Sequence, residues 1–200
     1  MQLYTNSNSP FARKVRISAL ELGLADRLES LEVTSSPVDP HGGLREHNPL
    51  GKIPALITDE GEALYDSPVI CEYLDVLAGG GRLFPPHGPA RWRALRRQAL
   101  GDGIADAAVL VRYETAARPV PLQWREWLDG QWLKIRTALD ALERDTLDGA
   151  LDIGAISIAC ALGYLDLRFS QEPWRQSHPR LSSWLGALAA RESFAATRPG

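Results

Sequence analysis

Hydrophobic and polar residues follow two patterns along this chain, first in short runs and later at helical spacing. In the first part, four short apolar runs predict β-strands at residues 3–4, 28–33, 55–58 and 62–65. Helices are predicted over about Pro10–Leu22 and Ser67–Ala78, and residues 35–51 are predicted to form a loop or a short helix. The β-α-β order predicts parallel pairing of the first two strands, and the turn at 59–61 predicts an antiparallel hairpin of the last two.

The second part of the chain begins after a segment rich in glycine and proline. Residues 79–89 show no periodicity and are predicted to be a linker. Beyond it, apolar residues recur at helical spacing and predict helices over about 90–117, 122–145 and 152–169 and from His178-Pro179 onwards. The helix capped by Asp152 is largely apolar, so we expect it to be central and buried. We therefore predict two domains, residues 1–78 and 90–200.

The composition is typical of a globular protein, with 44% hydrophobic residues, 24% charged residues and a net charge of −3. This balance argues against a general nucleic-acid or membrane-surface binder. The first residues lack the features of a signal peptide, and no apolar run approaches the roughly 20 residues that span a bilayer. Cys71 and Cys160 lie far apart without metal-binding spacing, so we expect buried thiols, no metal site and a cytoplasmic location.

A basic aromatic segment stands at the start of the first long helix of the second part. It contains Arg91, Trp92, Arg93, Arg96 and Arg97, and the arginines at 93, 96 and 97 share one helix face. Because the rest of the chain is acidic, we interpret this segment as a solvated face or a dimer contact rather than as a nucleic-acid site.

Two Ser-Pro steps, Ser9-Pro10 and Ser67-Pro68, carry the first chemical signal. Serine is a preferred helix N-cap and proline a preferred first helical residue, so each step predicts the start of a helix. A helix start presents free N–H groups and partial positive charge, which favour anions. With Ile53-Pro54 between them in the chain, the two starts predict a pocket for a ligand with more than one negative group.

Three segments around these steps, Ser9–Val15, Asn48–Leu56 and Asp66–Leu74, together resemble the N-terminal signatures of cytosolic glutathione transferases. The linker and the helical second part fit the same family, and the likeness is greatest to bacterial members with a serine at the active-site position. The resemblance implies an α/β thioredoxin-like N-terminal domain, an all-α helical C-terminal domain and a homodimer. It also implies that glutathione is the co-substrate.

The resemblance places Ser9 at the catalytic position, where its hydroxyl would donate a hydrogen bond to the glutathione thiolate. A free thiol has a pKa of about 8.5, so the thiolate needs stabilisation near neutral pH. The residues alone also allow Ser9 to act only as a helix cap. Ser7 and Asn8 are nearby substitutes, and Tyr4 ranks lower because it belongs to the predicted strand.

The resemblance also assigns residues to two parts of the glutathione molecule. Ile53 would pair its backbone with the cysteinyl unit, next to a cis peptide bond to Pro54. Asp66 and Ser67 would hold the γ-glutamyl end, with Asp66 facing the amino group and Ser67 facing the carboxylate. An ordinary trans turn at Pro54 and a simple cap at Ser67 are the alternatives.

The remaining candidates concern the glycine carboxylate and the acceptor substrate. Lys52 and His41 are assigned to the carboxylate, although a loop histidine is usually only solvated. Phe11 is assigned to the glutathione site and to the acceptor pocket. The other candidates to line that pocket are Leu110, Tyr113 and Trp174.

These residues predict a glutathione transferase that conjugates or reduces small hydrophobic electrophiles, organic peroxides among them. One alternative is a specialised glutathione-dependent lyase, isomerase or dehalogenase, and another is a non-catalytic interaction module, since fold does not dictate function. The helix start carries no cysteine, which argues against thiol–disulfide exchange. A scaffold would be free to lose Ser9, Ile53-Pro54 and Asp66-Ser67, so their presence favours a working glutathione site.

Overall fold

The computed structural model describes residues 1–147 and 149–199, and a four-stranded mixed sheet forms the centre of its N-terminal part. The strands, in the spatial order β2-β1-β3-β4, are β1 Gln2–Thr5, β2 Glu29–Glu32, β3 Ala55–Ile57 and β4 Ala63–Leu64. β1 pairs in parallel with β2 and antiparallel with β3, and β3 pairs antiparallel with β4. The predicted parallel pair and the predicted hairpin are both confirmed.

Three helices accompany the sheet, α1 Pro10–Leu22, α2 Gly42–His47 and α3 Ser67–Leu77. α1 begins and ends where the sequence predicts. The Ser9 hydroxyl oxygen accepts the Ala12 N–H at 3.2 Å, and Gly23 follows the last turn with a φ of 73°, which costs glycine little. For residues 35–51 the sequence predicts a loop or a short helix, and the structure shows a short helix, α2.

The rest of the chain is helical, with α4 Gly88–Ala116, α5 Arg125–Arg144, α6 Ile153–Arg168, α7 Trp174–Ser177, α8 Pro179–Ala189 and α9 Glu192–Ala196. The four longer helices agree with the apolar pattern. That pattern does not predict α7 and α9, because helices of four and five residues offer too few apolar positions to show a period. The predicted linker 79–89 falls largely between α3 and α4, and the division into two domains stays a prediction. No helix of the described residues is long and apolar enough to cross a membrane.

α6 is the buried centre of the helical part, as its apolar sequence predicts. Its isoleucines Ile153 and Ile156 are completely excluded from solvent. Asp152 accepts the Ala155 N–H at 2.8 Å, so the predicted cap of this helix is confirmed. α4 packs along α6 over much of its length, which fixes the orientation of α4 relative to the core.

The C-terminal segment is held against α1 by charged side chains of that helix. The buried Arg13 donates to the Thr197 hydroxyl at 3.5 Å and to the Phe194 carbonyl at 3.2 Å. Glu21 accepts hydrogen bonds from the Arg191 guanidinium at 3.0 and 2.8 Å, and this guanidinium lowers the pKa of the Glu21 carboxyl. α1 is thus tied along its length to the end of the chain.

Candidate functional site

Ser9 lies half-buried at the N-terminus of α1, where the loop after β1 turns into the helix. Its backbone N–H donates to the Asn6 carbonyl at 3.0 Å, and its hydroxyl oxygen accepts the Ala12 N–H at 3.2 Å. The hydroxyl proton makes no hydrogen bond to any residue within 1–147 and 149–199. A serine hydroxyl can accept and donate at once, so the capping role and a donor role are compatible.

The loop before Ser9 is fixed by asparagine side chains. Asn6 Nδ2 donates to the Val33 carbonyl at 3.1 Å, and Asn6 Oδ1 accepts the Asn8 N–H at 3.0 Å. Asn8 Oδ1 is buried and finds no hydrogen-bond partner in the described part of the chain. A buried acceptor without a donor carries a desolvation cost that no described residue offsets.

The alternative candidates for the thiolate contact are placed less favourably than Ser9. Tyr4 lies within β1, and its ring centroid is 5.5 Å from that of His47. Ser7 and Asn8 lie in the turn between β1 and α1. Of these four residues, Ser9 is the one at the N-cap, where the partial positive charge of the helix start favours an anion.

The peptide bond between Ile53 and Pro54 is cis, as predicted, and directly precedes β3. The buried Asn48 holds this segment in place. Its Nδ2 donates to the Lys52 carbonyl at 2.8 Å, and its Oδ1 accepts the Leu50 N–H at 3.1 Å. Asn48 therefore positions the segment that leads to the Ile53-Pro54 bond. It belongs to the Asn48–Leu56 motif, but the pattern of apolar residues gives it no role.

α3 begins at Ser67, which is 1% exposed, with the exposed Asp66 as its N-cap residue. Asp66 makes no side-chain capping bond, and the peptide bond between Tyr65 and Asp66 is cis. The Ser67 hydroxyl has no hydrogen-bond partner among the residues described. This helix start thus offers a hydroxyl and first-turn N–H groups to a carboxylate, with the Asp66 carboxylate beside them for an ammonium group.

The His41 side chain is held by a hydrogen bond to the backbone and does not extend freely from the loop. Its Nδ1 accepts the Leu44 N–H at 3.1 Å as the cap of α2, so the neutral ring carries its proton on Nε2. His41 and Lys52 are both exposed, whereas Phe11 is partly buried and packs against the core. The assignment of these three residues to glutathione stays a prediction.

Two carboxylates of α4 join this region. Lys14 Nζ lies 2.7 Å from both oxygens of Asp102, and burial raises the pKa of the Asp102 carboxyl against the opposing effect of Lys14. Asp106 is exposed as a residue, but neighbouring protein atoms partly desolvate its carboxyl and raise its pKa, which Lys52 lowers and Asp66 raises again. An aspartate pair four residues apart on a predicted helix is the signal that could have found them. No group of three or more His, Cys, Asp and Glu side chains in the described ranges could hold a metal ion.

The candidates for the acceptor pocket divide into two places. Leu110 and Tyr113 lie on the same face of α4 as Asp106, and Leu110 is 42% exposed. Trp174 is buried and donates its indole N–H to Asp166 at 2.9 Å. It lines a cavity of about 300 Å³ formed by residues of α5, α6 and α7 and the segments beside α7, without any residue of α1 or α4. The structure therefore places Trp174 in a cavity apart from α1 and α4, while the assignment of Leu110 and Tyr113 to the acceptor pocket stays a prediction.

Two family models match the chain. The model described as glutathione S-transferase, N-terminal domain matches residues 8–77, and the model described as glutathione S-transferase, C-terminal domain matches residues 125–187. Among curated proteins, the uncharacterized GST-like protein YibF of Escherichia coli K12 is 37% identical over 204 residues. That match covers 100% of this chain and 98% of the relative.

Solved structures with the same fold include two from other bacteria. A glutathione transferase family member from Pseudomonas fluorescens Pf-5, with bound glutathione, is 50% identical and superimposes with a TM-score of 0.97 over 100% of this chain and 98% of its own. A glutathione S-transferase from Methylobacillus flagellatus KT, with glutathione bound, is 36% identical with a TM-score of 0.88, over 100% and 99% of the two chains.

Proposed function

Because the chain belongs to the glutathione S-transferase family, we propose that it is an enzyme that conjugates glutathione to small hydrophobic electrophiles or reduces them with glutathione. Ser9 stabilises the glutathione thiolate. The observation that carries the proposal is the hydrogen bonding of Ser9, whose oxygen serves the helix while its proton stays available at the positive end of α1. The glutathione bound in two related structures supports the choice of co-substrate.

The proposed chemistry follows from the thiol. Free thiols are mostly protonated at neutral pH, and a hydrogen bond to sulfur together with the α1 dipole favours the charged form and lowers the thiol pKa. The thiolate attacks an electrophilic carbon, a carbon–sulfur bond forms, and a leaving group such as halide departs with its bonding electrons. Ser9 acts as a hydrogen-bond donor throughout and forms no covalent bond.

The backbone and the charged ends of glutathione are proposed to contact residues outside α1. The backbone of Ile53 pairs with the cysteinyl unit as an added strand would. The γ-glutamyl carboxylate binds at the start of α3, next to Ser67, and its ammonium group faces Asp66. Lys52 and His41 Nε2 take the glycine carboxylate. This arrangement meets each charged group of the tripeptide with a group of opposite charge or with a hydrogen-bond donor.

We expect Ser67→Ala to weaken glutathione binding about tenfold, because it removes a hydrogen bond to a carboxylate while the α3 N–H groups stay in place. Calorimetric titration of the wild type and the variant with reduced glutathione measures this change. Ser30→Ala, at an exposed position of β2, is the matched control and should bind like the wild type. Equal affinity of Ser67→Ala and the wild type would contradict the role of Ser67.

The same titration tests the proposed function itself. If the wild type shows no saturable binding up to several millimolar glutathione, the enzyme proposal fails and the interaction module is favoured. Binding of glutathione without turnover of any class of electrophile would also favour that module. Turnover confined to an isomerisation, an elimination or a dehalogenation would favour the specialised enzyme.

We further propose that the enzyme is a homodimer that associates through one surface of α3 and α4. Val69 and Val76 are exposed on one face of α3, and Trp92 of α4 is 67% exposed. Glu72, on that same face of α3, pairs with Arg91 of α4 at 2.8 Å and joins the two helices into one surface. Large apolar side chains grouped on one face favour burial against a second copy of the chain.

Trp92→Glu is expected to convert the dimer to a monomer at micromolar concentration, because it would bury a charge in the centre of the interface. Sedimentation velocity of the wild type and the variant measures the change. Leu133→Glu, which alters an exposed leucine of α5, should leave the dimer intact. A monomeric wild type would contradict the proposed dimer.

A further inference from the structure

The cavity beside Trp174 lies within the helical part of the chain and has a volume of about 300 Å³. We name it the tryptophan cavity. The side chains around it come from α5, α6, α7 and the segments beside α7, and they are Trp132, Ile135, Arg136, Leu139, Leu165, Glu172, Pro173, Trp174, Ser177 and His178. Protein cores leave few voids larger than a water molecule, and a space of this size is typical of a small-molecule pocket.

Apolar side chains supply most of the lining of the tryptophan cavity. Ile135 is 1% exposed, and Leu139 and Leu165 are each 2% exposed. All three belong to the buried core, in which long helices pack against each other. The core therefore closes the inner side of the cavity with aliphatic surface.

Two indole rings line the same cavity and are held by residues outside its lining. The Trp132 ring meets the Phe169 ring edge to face, with their centroids 5.0 Å apart. Trp174 donates its indole N–H to Asp166 at 2.9 Å. Because these contacts fix both rings, the fold itself preorganises two aromatic surfaces for a ligand.

The charged and polar groups of the lining already have partners. His178 Nδ1 donates to the Trp174 carbonyl at 2.9 Å, and His178 Nε2 lies 3.0 Å from Asp140 Oδ1. Arg136 Nη2 lies 3.4 Å from Glu172 Oε2. A charged ligand would thus lose hydration without meeting a free opposite charge, and water inside would gain few hydrogen bonds. This pairing favours a neutral ligand.

The tryptophan cavity has an entrance beside α7. The Arg136 and Glu172 side chains are 61% and 38% exposed, and Pro173 and Ser177 are exposed as well. A carboxylate accepts several hydrogen bonds, so Glu172 can bond to Arg136 and to a ligand at the same time. The entrance therefore offers an acceptor for one N–H or O–H group.

We propose that the tryptophan cavity binds a neutral, flat aromatic compound of two fused rings that carries one N–H or O–H group. The volume supports two rings, since a cavity of about 150 Å³ takes one benzene ring. The rings pack against Trp132 and Trp174, and the donor group reaches Glu172. The site is separate from α1 and α4, so this inference does not depend on the proposed function.

Calorimetric titration with indole, 1-methylindole and indole-5-carboxylate tests the proposed chemistry. We expect indole to bind with a Kd below about 1 mM, which a ligand of this size reaches in a preformed pocket. Methylation removes the donor and should weaken binding about fivefold. The carboxylate should bind at least tenfold more weakly. Saturation with S-hexylglutathione, which would occupy the proposed glutathione and acceptor sites, should leave the indole affinity unchanged.

Variants locate the bound indole. Leu139→Phe adds atoms to the cavity and should abolish binding. Trp132→Leu removes one aromatic surface at a partly buried position and should weaken binding at least fivefold. Trp124→Leu is the matched control, since Trp124 is 61% exposed just before α5, and it should bind indole like the wild type. If Leu139→Phe does not fold, the two tryptophan variants still decide the location.

Three results would overturn the proposal. One is a wild type without saturable indole binding, and another is equal indole affinity in Trp132→Leu and the wild type. The third is displacement of indole by S-hexylglutathione, because indole would then occupy the acceptor pocket. Tighter binding of indole-5-carboxylate than of indole would overturn the preference for neutral ligands. A wild type that binds indole but not glutathione would refute the proposed function and support this inference.

Discussion

Ser9→Ala is expected to lower kcat/KM for an aryl halide by up to about 100-fold, because a hydrogen bond to a charged group contributes about 1.5–3 kcal/mol. The pKa of the bound glutathione thiol should rise toward its free value of about 8.5. The affinity for glutathione should change little, since the other proposed contacts lie at the start of α2, before β3 and at the start of α3. Steady-state kinetics and the pH dependence of thiolate absorbance measure the two effects separately.

Controls separate the donor role of Ser9 from its role as a helix cap. Loss of the cap alone costs about 1 kcal/mol of stability, which urea unfolding of Ser9→Ala will show. Ser9→Thr keeps both an acceptor and a donor and should recover most of the activity. Ser7→Ala and Asn8→Ala test the two neighbouring candidates. Unchanged turnover in Ser9→Ala with a loss in either neighbour would move the donor role to that residue.

The second large effect is expected from Gly101→Ala in the middle of α4. A Cβ atom at this position would lie 2.6 Å from the Ile158 nitrogen and 2.6 Å from the Ser157 carbonyl carbon of α6. These are backbone atoms that cannot rotate away, so the two helices would have to separate. We expect a loss of about 3 kcal/mol in the free energy of unfolding, at the upper end of typical overpacking effects.

Gly103→Ala is the matched control, since it lies two residues further along the same helix. A Cβ at Gly103 meets nothing within 4 Å, so alanine should stabilise α4 by about 0.5–1 kcal/mol through its higher helix propensity. Thermal unfolding of both variants gives the comparison, with a fall of roughly 8 °C expected for Gly101→Ala. Equal midpoints for the two variants would show that α4 and α6 do not approach as closely as the structure indicates.

The local features of the glutathione site could be predicted from sequence because each depends on residues close together in the chain. The N-cap at Ser9, the stop at Gly23 and the cap at Asp152 follow from the conformational preferences of those residue types. The cis bond before Pro54 followed from the resemblance of its motif and is present in the structure. The roles of these residues toward glutathione stay predictions that the proposed variants will test.

The contribution of α4 to the site could not be predicted in the same way. Asp102 and Asp106 are separated from Lys14 by almost the whole N-terminal part of the chain, and an aspartate pair on a helix is usually a solvated face. Trp174 shows the opposite case, since it was a candidate for the acceptor pocket while the fold places it in a separate cavity. Spacing could have drawn attention to the aspartate pair, but neither spacing nor residue type places the pair or Trp174 in the folded structure.

The sequence by itself determined the order of the strands and of the longer helices, the ends of the capped helices and the three motifs of the proposed glutathione site. Short-range sterics and hydrogen bonding, which act within a few residues, are the reason. The tertiary structure alone decided that α4 lies against the second turn of α1. That choice depends on the backbone approach at Gly101 and on the Lys14–Asp102 pair, which join parts of the chain that are far apart in sequence. Such contacts form when the whole core packs, so no local pattern encodes them.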